Sequence, residues 1–160
     1  MIDTYELIAP CHFGLESVLK REIYDLGYDI VKVEDGKVTF IGDADAIARA
    51  NIFLRTAERV LLKVAEFRAT TFTELFDNVN ALEWEHYIPK NGKFWVTKAN
   101  SINSKLFSSS DIQSIVKKAI VERLKKKYAV SWFDEDGDSY PIRVSIMKEI
   151  FRLSLDTTGE

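Results

Sequence analysis

Cys11-His12 sets a thiol beside an imidazole, the two groups from which a thiolate nucleophile can be made. Neighbouring side chains in an extended or turn segment point apart, so this spacing brings no base to the sulfur. His86, between Glu85 and Tyr87, reads as a surface or packing residue. With His12 it makes only two histidines, too few and too distant in sequence for a metal site. The acid pairs Asp43/Asp45 and Glu83/Glu85 fall where helices start, and carboxylates there complement the positive end of the dipole. Residues 134–138, DEDGD, resemble part of a calcium loop but lack its terminal bidentate glutamate, which leaves a solvated turn as the expectation. No GxxxxGKS or GxGxxG phosphate cradle occurs. The reading predicts no catalytic residue, no metal ligand and no cofactor site within these residues.

The chemistry that the spacing does support is electrostatic. Residues 98–128 contain eight Lys or Arg against two Asp or Glu, whereas the whole chain has 22 basic and 25 acidic residues. Taking that segment's +6 from the total of −3 leaves −9 for the remainder, so charge is segregated. Such segregation marks a polyanion-binding face, because Lys and Arg that neutralise phosphates gain from counterion release. The competing reading is a solvated amphipathic helix.

Ser110, three residues before Gln113, has the spacing of a capping box. Behind it Ile112, Ile115, Val116, Ala119, Ile120 and Leu124 recur at helical spacing, predicting a helix over residues 111–127. On a helical wheel Lys117, Lys118 and Lys125 fall opposite that stripe with Val121, and Arg123, Lys126 and Lys127 lie nearer its edges. Lysines in the last turn also complement the helix dipole. The stretch before the helix, with Lys98, Ser101, Ser104, Lys105, Ser108 and Ser109, offers hydroxyls, ammonium groups and free N–H groups to phosphate oxygens. Phe107 reads as a core plug before it reads as a base-stacking ring.

A chain of 160 residues, 46% hydrophobic, can bury one large or two small cores. Cys11 is its only cysteine, which excludes an intrachain disulfide and a multi-cysteine metal site. No run approaches the eighteen or so apolar residues that cross a bilayer, and the first residues lack a secretory pattern. The expectation is a cytoplasmic protein with no membrane partner.

The elements that must position the basic helix follow from periodicity. A strand at residues 5–9, a helix at 14–26 closed by Gly27, strands at 30–33 and 37–41 joined by Asp35-Gly36, a helix after Asp43 and a strand at 60–67 predict an α+β, ferredoxin-like unit over residues 1–67. The second helix is expected to bury Ala46, Ile47, Ala50, Phe53 and Leu54. Residues 68–160 read as a second unit. It comprises a helix from Thr70-Thr71 carrying Phe72, Leu75, Phe76 and Val79, a strand at 93–98, the basic helix, and strands at 142–147 and 150–155 turning at Lys148-Glu149.

Several pieces in series then carry a resemblance. They begin with Cys11-His-Phe-Gly-Leu-Glu16, Leu26-Gly27-Tyr28, Glu34-Asp-Gly36 and Leu54-Arg-Thr-Ala57, and continue with Thr70-Thr-Phe72, Ser104-Lys-Leu106, Val116-Lys-Lys-Ala-Ile120 and Leu155-Asp-Thr-Thr-Gly159. In this order they resemble the amino-terminal part of bacterial THUMP-domain RNA methyltransferases, similar to the guanine-N2 methylases of large-subunit ribosomal RNA. The resemblance implies a ferredoxin-like domain followed by a THUMP α/β RNA-binding domain. It also implies a catalytic domain outside these residues that uses S-adenosylmethionine. Pro10, Pro89 and Pro141 are never adjacent, so the Pro-Pro motif of many such catalytic domains is absent here. Partners are then structured, ribosomal RNA and the methyltransferase domain of the parent chain. Lys98, Lys105, Lys117, Lys118 and Lys125 are the expected phosphate contacts, with Ser104 and Ser108 assisting. Arg55 and Arg59 read either as further contacts or as ion pairs with Glu58 or Glu66. The alternative is a protein-interaction module using Val121, Phe94, Trp95 and Trp132.

Overall fold

The structure, a computed structural model, describes residues 4–97, 100–102, 108–129 and 137–157, with the backbone alone at 100–102. It divides into two compact units, Met1–Lys63 with Asp156–Glu160, and Val64–Leu155.

In the first unit the order is β1 (Tyr5–Pro10), α1 (Glu16–Asp25), β2 (Asp29–Glu34), β3 (Lys37–Gly42), α2 (Ala44–Phe53) and the start of β4 (Leu61–Arg68). Its strands lie in the order β2-β3-β1-β4 with antiparallel neighbours, the ferredoxin-like arrangement expected from the hairpin and helix signals. Leu7 stands opposite Phe40 and Ala9 opposite Val38, and this face is sealed by Leu19 and Ile23 of α1 and Ala46 and Ala50 of α2. Each fully buried Leu, Ile or Phe there contributes about 1.5–3 kcal/mol relative to an exposed one. Gly36 turns the β2–β3 hairpin at φ +79°, a conformation that needs no Cβ penalty only in glycine. Asp43 caps α2 by accepting the Ala46 N–H at 3.0 Å.

The apolar stripe of α2 is shorter than expected. Leu54 is already extended, with ψ 122°, so the last turn leaves the sheet and Phe53 stays 56% exposed beside Ile52 at 72%. Period alone cannot see where a helix stops touching its sheet.

Two glutamates of this unit hold its backbone together. Glu16 accepts the N–H groups of Gly14 and Gly36, both at 2.8 Å, and so fastens the loop after β1 to the hairpin turn. Glu22 accepts the N–H groups of Arg55 and Thr56 and the Thr56 hydroxyl, holding the segment after α2 against α1. Hydrogen bonds from the N–H groups of Gly36, of Glu16 itself and of Gly14 draw the Glu16 carboxyl below its ordinary range. Burial pushes the Glu22 carboxyl up, but the Thr56 hydroxyl and the two N–H donors outweigh it and the net direction is down.

Both carboxyls therefore stabilise the fold above their unfolded values near pH 4, and that contribution disappears as pH falls through their lower folded values. The urea midpoint should drop between about pH 5 and 3, and Glu22→Gln should flatten the drop. An equally steep acid limb in the Glu22→Gln protein would contradict this role.

The second unit continues β4 and adds α3 (Phe72–Asn80), a short 3-10 turn (Trp84–His86), β5 (Lys93–Val96), β6 (Asn100–Ile102), α4 (Ser109–Tyr128), β7 (Ser139–Met147) and β8 (Ile150–Asp156). β7 and β8 form an antiparallel hairpin, and β5 and β6 lie end to end along the other edge of β7, both parallel to it. A parallel pair needs a long crossover, and α4 supplies it. The core gathers Ile112, Val116, Ala119, Ile120 and Leu124 of α4 with Leu75 and Val79 of α3, Ile142 of β7 and Phe151 of β8.

Thr71 caps α3 by accepting the Glu74 N–H at 3.1 Å, while Glu74 accepts from the Thr70 N–H and hydroxyl. Phe72, expected in the stripe, is 39% exposed because it begins the helix, before the buried positions Leu75 and Val79. Lys148 and Glu149 make the β7–β8 turn with φ of 50° and 71°, both left-handed.

Candidate polyanion-binding face

α4 is the longest helix among the described residues, running over Ser109–Tyr128. Its start differs from the capping-box reading. Ser108 occupies the cap position without a side-chain cap bond, Ser110 lies inside the helix, and the Gln113 amide donates instead to the Val96 carbonyl at 2.9 Å. Gln113 faces β5, so its side chain cannot return to the helix start.

Lys117 also departs from the wheel reading. Its ammonium donates to the Phe94 carbonyl at 2.5 Å and sits 3.8 Å from the centre of the Phe94 ring. The physical reason is azimuth: one residue beyond buried Val116 is a turn of about 100°, which puts Lys117 on the flank beside β5. Gln113 and Lys117 thus tie successive parts of α4 to β5.

Arg123 is consumed as well. Its Nε and Nη2 donate to the two oxygens of Glu85 at 3.1 and 2.9 Å, a bidentate pair in which both side chains are only 18% exposed. Those bonds and the nearby Lys127 hold the Glu85 carboxyl below its ordinary range despite its partial burial. Tyr128 closes the same corner by donating to the Ile88 carbonyl at 2.8 Å, and burial pushes its phenol up. No local pattern marks the Glu85–Arg123 pair, whose members are 38 residues apart.

The charged residues that remain exposed on α4 are Lys118, Lys125, Lys126 and Lys127, with Asp111 and Glu122. Lys127 lies 3.9 Å from Glu85, whereas Lys118 and Lys125 stand on the back of the helix, about seven residues or 10 Å apart along its axis. The expected contacts Lys118 and Lys125 therefore share one water-facing strip, Lys126 is exposed about 80–100° round the helix from it with Glu122 between, and Lys117 stands apart. Lys98, Ser104 and Lys105 lie outside the described residues, as do 134–136 of the acidic loop. Among the described residues no cluster of three or more His, Cys, Asp or Glu could hold a metal ion, and no helix is long and apolar enough to cross a membrane.

The anchors of a protein-interaction module fare differently. Phe94 is 5% exposed under Lys117, Trp95 and Val121 are half-buried, and Trp132 lies outside the described residues.

Known families match both units. The family model of the THUMP domain matches residues 69–156, and that of the RlmL ferredoxin-like domain matches residues 6–61. The chain belongs to the THUMP domain family.

Among relatives of this THUMP chain, "Putative RNA methyltransferase YpsC" of Bacillus subtilis is 48% identical over 157 residues, covering 97% of this chain and 40% of that protein. "Ribosomal RNA large subunit methyltransferase K/L" of Pseudomonas aeruginosa is 27% identical over 162 residues, covering 99% of this chain and 22% of its own length. The solved structure of "SMU.472, a putative methyltransferase complexed with SAH" is 41% identical with a TM-score of 0.93, covering 98% of this chain and 42% of that one. The THUMP chain thus spans two fifths or less of the length of the first two relatives.

Proposed function

We propose that this chain is the RNA-recognising region of an S-adenosylmethionine-dependent RNA methyltransferase whose substrate is large-subunit ribosomal RNA, with guanine N2 as the methylated atom. The observation that carries the RNA reading is the strip of exposed lysines on α4, held in place by the Gln113, Lys117 and Arg123 bonds beneath it. Ammonium groups on a rigid helix gain from releasing the counterions of a phosphate backbone, and they read shape more than sequence. Lys118 and Lys125 are phosphate contacts, with Lys126 further round the helix, and Ser108 offers its hydroxyl at the helix start. Lys98, Ser104 and Lys105 contribute from the segment that leads into α4. Lys117 joins them only by leaving the Phe94 carbonyl.

Methyl transfer belongs to a further domain, as the greater length of the relatives named as methyltransferases supports. S-adenosylmethionine would bind there, consistent with the SAH held by one of them. The protein works on RNA in the cytoplasm, and this region delivers the nucleotide to that domain.

Lysine footprinting tests the RNA contact. Acylation of the free chain should label Lys118, Lys125 and Lys126 rapidly and Lys117 slowly, and a structured ribosomal RNA fragment should protect the first three. Equal labelling with and without bound RNA would remove α4 from the interface.

A further inference from the structure

β5 ends its side of the sheet, and among the described residues no strand lies beyond it. Its bonds to β7 run through alternate residues: the Lys93 N–H donates to the Asp138 carbonyl at 3.0 Å and the Thr97 N–H to the Ile142 carbonyl at 2.8 Å. In a parallel pair that alternation turns the N–H and C=O groups of Phe94 and Val96 outward, away from β7. Those are the two carbonyls that α4 reaches. Gln113 donates to Val96 at 2.9 Å and Lys117 to Phe94 at 2.5 Å. The spacing fits, since four helical residues rise about 6.0 Å and two strand residues about 6.6 Å. One turn of α4, running against the direction of β5, thus meets the outer edge of the strand where a neighbouring strand would donate.

The strand itself invites such a neighbour. Phe94, Trp95, Val96 and Thr97 all have high strand propensity, no proline or charged residue interrupts them, and the register of Lys93–Val96 with β7 is unbroken. An edge of that kind pairs with another chain unless something blocks it. We propose that Gln113 and Lys117 are a gate on this edge, standing in for a strand and keeping a second copy of the chain from adding its own β5. Self-pairing is the fit because the edge is its own complement. About a two-fold axis at Trp95, Phe94 of one copy faces Val96 of the other, and the two exchange their outward N–H and C=O groups. The half-buried Trp95 projects to the face away from Phe94 and Val96, so the two indoles then stand side by side across the axis, a favourable aromatic cross-strand pair.

Sedimentation velocity of the 160-residue chain over a range of concentrations tests the gate. Gln113→Leu with Lys117→Met keeps the side-chain bulk and removes both donors, so the weight-average mass should climb towards twice that of the unaltered, monomeric chain. Amide exchange locates the contact: the Phe94 and Val96 N–H groups of the double variant should exchange more slowly as concentration rises. Lys117→Arg, which keeps a donor, should stay monomeric. Ser114→Leu with Glu122→Met places similar apolar groups on the exposed side of α4 and should stay monomeric too. Adding Trp95→Lys to the double variant should undo the association, because two ammonium groups would meet across the axis. Should the double variant fail to fold, Gln113→Leu and Lys117→Met taken singly should each associate more weakly at the same amides. Folded variants without the donors that remain monomeric would overturn the proposal. Association that leaves the Phe94 and Val96 amides unprotected would overturn it as well, and so would an unaltered chain that already pairs through them.

Discussion

Changing Lys118, Lys125 and Lys126 together to glutamate lowers RNA affinity by roughly a hundredfold at low salt and removes about two to three units from the salt slope, near 0.7–0.9 for each phosphate no longer neutralised. All three side chains are exposed, and none makes a bond on which the helix depends, so the fold should survive. The loss should be uniform across RNA sequences, because phosphate contacts carry none of the sequence information. A triple variant that binds with an unaltered slope would refute the assignment of α4. Lys117→Glu is a poor substitute for it. That change deletes the bond to the Phe94 carbonyl and sets a carboxylate against the acceptor, so weaker binding would be inseparable from damaged structure.

Trp84→Ala should cost about 3–5 kcal/mol of stability, the range for emptying a buried aromatic site. Trp84 has no exposed surface, packs edge-on against Tyr87, and donates its indole N–H to the Val79 carbonyl at the end of α3 at 2.8 Å. Removing it opens a cavity and takes one bond from that carbonyl, which keeps the Leu82 N–H at 3.2 Å. Glu85, the next residue, holds Arg123 of α4, so the α4 corner loosens in the same step. Urea unfolding should show a lower midpoint, and Trp84→Phe should recover part of the packing and none of the hydrogen bond. A loss below about 1 kcal/mol in Trp84→Ala would show that the site collapses freely.

Local rules served best where local forces decide. The Asp35-Gly36 turn, the Asp43 and Thr71 caps and the buried stripe of α4 needed only residues a few positions apart. The net charge of residues 98–128 was equally plain, yet its use was not. A wheel gives a direction without a partner, so Lys117 and Arg123 looked like surface cations until Phe94 and Glu85 came alongside from distant parts of the chain. β6 escaped notice because three residues carry too little period to read. Glu16 and Glu22 were hidden for a related reason: in sequence they read as surface acids, and only the fold reveals the N–H groups that they accept.

The link between β7 and β8 offers a route to a hardier protein. Lys148 and Glu149 both sit at positive φ, where an ordinary L side chain is disfavoured by roughly 1 kcal/mol or more. Lys148→Asn would suit that geometry, adding no new contact and gaining heat tolerance through relief of strain alone. The natural hairpin therefore sits below its own ceiling of robustness, and an engineer could raise it without touching the lysines of α4.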